Sequence, residues 1–514
     1  MDRVLSHAPR PAAAGERRWV ALAVLCISLL IVSLDNTVLN VALPTLVRDL
    51  NATSTQLQWV VDAYVIVFAG LLLVAGSVAD RVGRKRTFLV GLVAFAAGST
   101  WAAFSGSVAL LIAARASMGI GGALIMPSTL AIITNMFTEE RQRNRAFGLW
   151  AGTSGVGIAL GPIVGGVLLA HFWWGSVFLV NVPIALLGLA LSVPLLPDSK
   201  NPDARRSDLV GAVLSIVGMG LLLWSIIEAP VRGWSSARVI AAGAGGLAAL
   251  AAFAAWESVT SHPMLRLDFF RDRRFSAAIV SVGLAMFGLF GALFVLTQFL
   301  QFQLGYSALH AGIRVLPAAG AIAVVAPLSS LLTRAIGSKP AVVAGLVIVS
   351  GGLFQISRAS VSTTFSGTLA GMILLGVGAG LVIPSATALV MGVLPLEHTG
   401  VGSATNGAFL QVGGALGVGV VGSLLSARYQ HMLTPALSVV HVPPPVGHTV
   451  TGSLGAALEV AQKLGGTAGQ LLDHVARSAF VSGMDLGLAA GAGVALAGAA
   501  LAAIALPGRG SRSR

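Results

Sequence analysis

Three charged residues stand inside long apolar stretches of the sequence, where a charge is costly. Asp35 lies in LLIVSLDNTVLNVALPTL, Asp62 in QWVVDAYVIVFAG and Arg115 in LLIAARASMGIGG. A charged side chain costs about 2.5–3.5 kcal/mol on membrane-insertion scales, so each needs a compensating role. Asn36 and Asn40 are one helical turn apart beside Asp35, which predicts a polar cluster that lines water or a bound solute. The alternative for Asp35 is a structural hydrogen-bond acceptor for a neighbouring helix.

The other two charged residues each allow two interpretations. Asp62 lies near the outer end of its apolar run and is either a cation site or an interfacial residue. Arg115 either polarises a nearby proton carrier or forms an ion pair, for which Asp35 is the candidate partner. We take Asp35, Arg115 and Asp62 as the candidate coupling residues.

A charged loop, GSVADRVGRKR at 76–86, separates two apolar runs. Gly76 permits close helix approach and Gly83 a tight turn. Asp80 can pair with an arginine across the turn or with a helix N-terminus. The spacing predicts a cytoplasmic latch that holds one conformation, and a plain basic loop is the alternative. The residues assigned to this gating loop are Gly76, Asp80, Arg81, Gly83, Arg84 and Lys85.

These residues are set in a chain of 514 residues that is 56% hydrophobic and only 10% charged. A membrane-spanning helix needs roughly 20 apolar residues, and the sequence offers fourteen such runs. The composition therefore predicts an all-α, polytopic membrane protein. The single cysteine, Cys26, excludes an internal disulfide and a zinc site built on several cysteines, and the scattered histidines of the segment 428–474 predict no metal site.

Lysine and arginine are distributed unequally between the two ends of the apolar runs. The termini and alternate loops hold 23 of them, and the opposite loops hold 7. The positive-inside rule then places both termini in the cytoplasm of a multi-pass protein in the cytoplasmic membrane. The net charge of +13 is explained by this bias, so we expect no nucleic-acid partner.

The segment 119–166 occurs twice in the chain. Adding 257 to each number aligns a second copy without gaps, and the matches include Gly119 with Gly376, Pro127 with Pro384, Glu140 with Glu397 and Gly165 with Gly422. Two similar membrane halves in the same order are typical of a transporter whose solute path lies between them. Chance similarity among membrane helices rich in glycine and alanine is the alternative.

The repeat pairs six spans in each half and leaves two over, which predicts a division of the chain into five parts. They are a cytoplasmic N-tail 1–18, an N-terminal six-helix bundle 19–197, a linker 198–274 with two extra spans, a C-terminal six-helix bundle 275–506 with an outer loop 428–474, and a cytoplasmic C-tail 507–514. The part 453–474 is a candidate amphipathic helix on the outer face.

The fifth span carries small residues four apart. Such spacing lets helix backbones approach closely, and a proline bends the helix, so we expect a pivot or seal between the halves. The residues of this motif are Gly157, Gly161, Pro162, Gly165 and Gly166.

Together the 76–86 loop, Arg115 with Gly119-x-Gly121, the 161–166 motif and the stretch 34–44 resemble the major facilitator superfamily. They are most similar to its fourteen-span drug:proton antiporters, which export quaternary ammonium compounds, dyes and antibiotics. The resemblance covers essentially the whole chain. It implies that Asp35 is a proton or cation carboxylate, that Arg115 is a coupling residue, and that Asp80 and Arg84 form the latch.

The second-half spans depart from some members of that family, which carry extra acids there. Uncharged polar residues supply the polarity in this chain, including Gln301. The residues assigned to the substrate pathway are Asn36, Asn40, Gln298, Asn406 and Gln411.

The expected function is proton-coupled efflux of drugs or antibiotics, mainly lipophilic cations, by alternating access, with Asp35 binding either a proton or the drug. No Gly-x4-Gly-Lys-Ser/Thr phosphate loop is found, and we expect a monomeric transporter, not an enzyme, that uses the proton gradient and no cofactor. A dedicated exporter of one endogenous product, such as an antibiotic or siderophore, is the main alternative. A membrane sensor would need a soluble output domain, and a lipid scramblase would tolerate loss of Asp35.

Overall fold

A computed structural model describes residues 11–200, 208–261, 263–394, 399–440 and 444–506. The described residues are helical with short connections, and none lies in a strand. Within these described ranges, thirteen helices are long and apolar enough to cross a membrane, and a further apolar segment, Ala159–His171, lies in the fifth helix. The predicted all-α, multi-span fold is confirmed.

The first seven helices form what we call the N-terminal set. They are α1 (Pro11–Leu50), α2 (Ser54–Val82), α3 (Arg84–Ala103), α4 (Val108–Met136), α5 (Glu140–His171), α6 (Ser176–Leu179) and α7 (Asn181–Leu195). Two further helices follow, α8 (Leu209–Arg232) and α9 (Ala237–Val259). They pack on each other, and α8 also packs on α2.

The remaining helices form the C-terminal set. They are α10 (Arg273–Gln298), α11 (Ala308–Ile336), α12 (Ser338–Ser357), α13 (Phe365–Val393), α14 (Thr399–Val440), α15 (Pro444–Gly452), α16 (Leu454–Leu464) and α17 (Gly466–Ala505). A 3-10 turn, Leu267–Arg271, precedes α10, and a π-helical turn, Phe299–Gln303, extends it.

The internal repeat of the sequence is visible in helix lengths and packing partners. α2 and α11 have 29 residues each, α3 and α12 have 20, and α4 and α13 have 29. Pro127 in α4 and Pro384 in α13 lie at the same step of their helices. α1 packs on α5 as α10 packs on α14, and α4 packs on α2 and α3 as α13 packs on α11 and α12.

We call the end of the bundle where α1 begins and α17 finishes the inner end, and the opposite end the outer end. The two sets meet along α2 with α14 and along α5 with α11. At the outer end, a Cβ on Gly166 would lie 2.6 Å from the Cα of Leu309, and a Cβ on Gly312 would strike the carbonyl oxygen of Pro162. The backbones of α5 and α11 therefore touch, as the small residues of the fifth span predict.

The inner parts of α5 and α11 carry exposed large apolar side chains, Leu149 by 55% and Val156 by 52% on α5, and Val324 by 63% and Leu331 by 60% on α11. The close backbone contacts described above between α5 and α11, those of Gly166 and Gly312, lie at the outer end.

The described parts of the connection 428–474, residues 428–440 and 444–474, are largely helical. α14 continues to Val440, and α17 already begins at Gly466, because apolar residues such as Leu433 and Leu472 are buried against the bundle. The expected amphipathic helix is α16, which ends at Leu464. It covers the outer end: a Cβ on Gly455 would lie 2.9 Å from the Val47 side chain of α1.

Replacing Gly312 by alanine should hold the outer ends of α5 and α11 apart, because the added methyl group would strike the Pro162 carbonyl oxygen. Overpacking a close contact typically costs about 1–3 kcal/mol. We expect a cysteine introduced at buried Val315, in a Cys26→Ala background, to react faster with an impermeant thiol reagent added from outside. Gly320→Ala on the same helix is the matched control, since a Cβ there meets nothing within 4 Å. Equal labelling in the two variants would contradict the packing described.

Candidate functional site

A buried ion pair lies inside the N-terminal set. Nη1 of Arg115 on α4 lies 2.5 Å from Oδ2 of Asp35 on α1, with the two side chains 1% and 0% exposed. The second carboxylate oxygen, Oδ1, accepts a hydrogen bond of 3.1 Å from Nδ2 of Asn181, the first residue of α7. Each oxygen of the carboxylate thus has a donor, and three helices converge on it.

The guanidinium group of Arg115 has further partners. Its Nε donates a hydrogen bond of 3.0 Å to the carbonyl oxygen of Val60 on α2. Its Cζ lies 4.5 Å from the centroid of the Tyr64 ring and 5.9 Å from that of Phe178. A buried charge is tolerated only with such compensation, because desolvation is expensive. The predicted pairing of Asp35 with Arg115 is present.

Asn181 and Tyr64 complete this site, and sequence reasoning missed both. Asn181 begins α7 just after the break at Val180, and its Nδ2 also lies 3.4 Å from Oγ of Ser99. The available signal was one asparagine in the apolar run FLVNVPIALLG, where a polar side chain needs a partner. Nothing in the sequence around Tyr64 indicates that its ring faces a cation.

Two polar residues that follow Asp35, Thr37 and Asn40, face away from it around α1. Successive residues of an α-helix are about 100° apart, so Thr37 points roughly 200° away from Asp35. Thr37, Asn40 and Val41 line a cavity between the two sets. Asn36 is only partly buried, is absent from that lining and donates from Nδ2 to the carbonyl oxygen of Val32, at 2.9 Å. Asp35 and Asn40 therefore lie on different faces of one helix, and the predicted polar cluster is divided.

The cavity is walled by α1 and α5 on one side and by α10 and α11 on the other. Its described lining residues are Thr37, Asn40, Val41, Pro162, Leu289, Leu293, Thr297, Val315, Ala318, Ala319 and Ile322. Its enclosed space is about 30 Å³, whereas sites for drug-sized ligands measure roughly 300–1,000 Å³. A ligand of that size fits only if the two sets move apart.

The other residues assigned to the pathway lie outside the described lining of this cavity. Gln298 is buried, and its Nε2 donates to the carbonyl oxygen of Phe294 at 3.0 Å. Asn406 and Thr387 form a hydrogen bond of 3.2 Å between α14 and α13. Gln411 is partly buried on α14. Of the five predicted pathway residues, Asn40 is the one that contributes to the described lining.

Asp62 is fully buried at a separate place. Its two carboxylate oxygens have no hydrogen-bond partner among the described residues. Oδ2 would lie 3.7 Å from a Cβ on Gly419 of α14, a position that also faces Leu223 and Ile227 of α8. Tyr64, whose ring faces Arg115, is two residues after Asp62, so the acid faces away from the ion pair.

The loop at 76–86 has the predicted turn and ion pair. Gly83 has a φ of 122°, a conformation that favours glycine. Nη2 of Arg84 lies 2.8 Å from Oδ1 of Asp80, and Nη1 donates to the carbonyl oxygen of Ala131 on α4 at 3.3 Å. A Cβ on Gly76 would lie 3.8 Å from Pro127, also on α4.

Further contacts of this loop reach the last turn of α7 and the segment after it. The backbone N–H of Arg84 donates to the carbonyl oxygen of Ser199 at 2.9 Å, and Nζ of Lys85 donates to that of Val193 at 2.7 Å. Arg81 is exposed. These contacts join the loop to other parts of the N-terminal set, so the inner end of this set is a braced unit.

The glycines of the fifth span allow α5 to lie close to α1. A Cβ on Gly157 would lie 2.6 Å from Cβ of Ser33, and one on Gly165 would lie 2.9 Å from the Val38 side chain. A Cβ on Gly161 would lie closer still to the Thr37 side chain. The same helix touches α11 through Pro162 and Gly166, as described above, so the motif joins α1 to the C-terminal set.

Among the residues that the structure describes, no group of three or more His, Cys, Asp or Glu side chains is placed to hold a metal ion.

Comparison with known proteins gives consistent matches along the chain. A sequence model described as the Major Facilitator Superfamily matches residues 25–418. The "Multidrug efflux pump LfrA" of Mycolicibacterium smegmatis is 37% identical, over 98% of this chain and 99% of the relative. The "Tetracenomycin C resistance and export protein" of Streptomyces glaucescens is 33% identical, over 97% and 93%. The "Methyl viologen resistance protein SmvA" of Salmonella typhimurium is also 33% identical, over 90% and 93%.

A solved structure shares the fold. It is a bacterial homolog of the human lysosomal transporter Spinster in an inward-facing, unoccupied conformation. The TM-score is 0.64 at 15% sequence identity, over 98% of this chain and 100% of that chain.

Replacing Arg115 by methionine should leave the buried Asp35 carboxylate without its ionic partner. Breaking a buried pair in this way costs roughly 3–5 kcal/mol, which thermal unfolding in detergent should report as a lower Tm. The double variant Asp35→Asn/Arg115→Met leaves no charge at this site and should recover much of that loss. Arg232→Met, which breaks a partly exposed pair with Glu228, should cost under about 1 kcal/mol. A double variant no more stable than Arg115→Met would show that the pair is not what holds these helices.

Proposed function

The chain belongs to the Major Facilitator Superfamily, and we propose that it exports lipophilic, drug-like compounds across the cytoplasmic membrane in exchange for protons. The motif resemblance is confirmed by the family match and by relatives that are multidrug efflux pumps and resistance exporters. The observation that carries the proposal is the buried Asp35–Arg115 pair, on the helix whose other face lines the cavity between the two sets.

We further propose that transport proceeds by alternating access. In an inward-facing state of this cycle, cargo enters the path from the cytoplasm between the inner parts of α5 and α11. Rocking of the two sets then breaks the outer contacts of Gly166 and Gly312 and closes the inner end. The braced loop around Asp80 and Arg84 lets the inner end of the N-terminal set move as one body.

The coupling step is protonation of Asp35. A proton on this carboxyl removes its charge, so the attraction to Arg115 weakens and α1 is less firmly held against α4. Because Thr37, Asn40 and Val41 lie on the same helix, any shift of α1 reshapes the cavity. Proton and cargo thus act on opposite faces of α1, which differs from the expectation that both bind the carboxylate of Asp35.

The proton gradient supplies enough free energy for resistance. One charge crossing 100 mV yields roughly 2.3 kcal/mol, and about 1.4 kcal/mol corresponds to a tenfold concentration ratio. Exchange of one proton against a neutral compound therefore supports about fiftyfold accumulation. We propose a monomer with both termini in the cytoplasm that needs no cofactor and performs no catalysis.

Asp62 is the second coupling candidate. An ionised carboxylate without a partner is expensive in packed apolar surroundings. Ionisation of Asp62 therefore requires α2 and α14 to separate, and that separation belongs to the rocking of the two sets. We propose a second proton step at their interface.

The alternative function is export of a single endogenous product. It is favoured by the 33% identity with a protein named for resistance to, and export of, Tetracenomycin C. The site geometry is the same in the two cases, and only the range of accepted cargo differs.

Proteoliposomes with an imposed pH gradient and a panel of lipophilic dyes test the proposal. Wild-type protein should accumulate at least one dye, and Asp35→Asn should lose gradient-driven accumulation by tenfold or more, since an amide does not exchange a proton in this range. Dye-for-dye exchange without a gradient should persist in this variant. Asp268→Asn, the same change on an exposed carboxylate, is the control and should behave as wild type. If wild-type protein and Asp35→Asn accumulate dye equally well, the proton-coupling proposal is wrong.

A further inference from the structure

The side-chain amide of Asn40 has one satisfied end and one free end. Its Nδ2 donates a hydrogen bond of 3.2 Å to the carbonyl oxygen of Asn36. Because that partner only accepts, the nitrogen must face it, and this fixes the orientation of the amide. Oδ1 has no partner in the described part of the chain, although the residue is only 4% exposed and lines the cavity. Buried polar atoms without partners are rare, and each calls for an explanation.

The other polar groups of the described lining are two threonine hydroxyls, and both donate their hydrogens to backbone carbonyl oxygens of their own helices. Oγ1 of Thr37 donates to the carbonyl oxygen of Leu34 at 3.2 Å, and Oγ1 of Thr297 donates to that of Leu293 at 3.1 Å. The other described lining residues are aliphatic or proline. The surface of the cavity is therefore almost entirely apolar, and the lining residue with an unused acceptor is Asn40, whose Oδ1 is itself buried.

No described lining residue carries a charge. The nearby acid, Asp35, lies on the other face of α1, with one oxygen on Arg115 and the other on Asn181. A cation in the cavity would meet no carboxylate, so a fixed positive charge without an N–H gains little there. A ligand with a hydrogen-bond donor can donate to Oδ1 and so supplies the partner that this oxygen lacks.

We propose, building on the export function above, that Oδ1 of Asn40 anchors the cargo, and that the favoured cargo is a largely apolar molecule with an N–H or O–H donor. Protonated secondary and tertiary amines, phenols and amides belong to this class, and quaternary ammonium compounds do not. The anchor also explains how cargo is sensed. Asn40 is on α1, five residues from Asp35, so a ligand held there acts directly on the helix that carries the proton site.

A pair of compounds that share one scaffold isolates the donor. A lipophilic tertiary amine, protonated at neutral pH, and its N-methyl quaternary derivative have the same charge, and only the amine has an N–H. Affinity is measured by equilibrium dialysis on the full-length protein in detergent, which is independent of transport. Wild type should bind the amine roughly tenfold more tightly, as expected for one hydrogen bond from a charged donor.

Three variants decide the role of Asn40. Asn40→Leu keeps the size but removes the acceptor, so the roughly tenfold preference should vanish through weaker amine binding, with little change for the quaternary compound. Asn40→Asp retains an acceptor at the same point and should keep the preference. Thr297→Val removes a hydroxyl group from the same cavity. Because that hydroxyl already donates its hydrogen to the carbonyl oxygen of Leu293, this variant should also keep the preference for the amine.

The anchor proposal and the export proposal would be contradicted by different results. If Asn40→Leu weakens both compounds equally or neither, or if wild type shows no preference, the anchor is wrong whatever the protein transports. If the preference is present and depends on Asn40, yet neither compound moves in proteoliposomes with a pH gradient, the anchor stands and the export function is wrong.

Discussion

The ion pair between Asp35 and Arg115 is the constraint on which the N-terminal set depends. Two charges are held with almost no exposure, 2.5 Å apart, in a protein whose surroundings offer little solvation. Such a pair is stable only when the remaining donors and acceptors are also satisfied. Asn181, the carbonyl oxygen of Val60 and the ring of Tyr64 meet that need. α1, α2, α4 and α7 are thereby fixed around one carboxylate.

The position of this pair on α1 links it to the cavity. The helical repeat places Asp35 and Thr37 on nearly opposite faces, so α1 contacts the charged cluster on one side and the C-terminal set on the other. The glycines at 157, 161 and 165 bring α5 against α1, and Pro162 and Gly166 bring it against α11. A change of charge at Asp35 can therefore reach the interface between the two sets through packed helices, with no direct contact between proton and cargo.

Much of this arrangement could be predicted from the sequence because it depends on local patterns. The apolar runs predicted the helices, and the repeat at an offset of 257 residues predicted matching helices in the two sets. The spacing of Gly83 and Asp80 gave the turn and its ion pair, which lie within a few residues of each other. Because Arg115 lies within an apolar run, it was expected to need a buried, oppositely charged partner, and Asp35 was the candidate acid.

The rest depends on tertiary contacts that no local pattern records. Asn181 is 146 residues from Asp35 in the chain, so its role becomes evident only when α7 is placed. The helix face that carries Asp35 points into the N-terminal set because Arg115 is there, and the sequence alone left open whether it pointed into the path. The helical form of 428–474 follows from burial of Leu433 and Leu472, which a polar-looking connection does not reveal.

The most direct test of the central claim is the number of protons released when cargo binds to the purified protein in weakly buffered detergent solution. If Asp35 and the cavity are coupled through α1, cargo binding should change proton occupancy at Asp35, because such linkage is reciprocal. At a pH low enough for Asp35 to carry a proton before cargo is added, wild type should release protons on binding cargo, and Asp35→Asn should bind cargo without releasing them. Equal release from the two proteins, or none from wild type, would contradict the account.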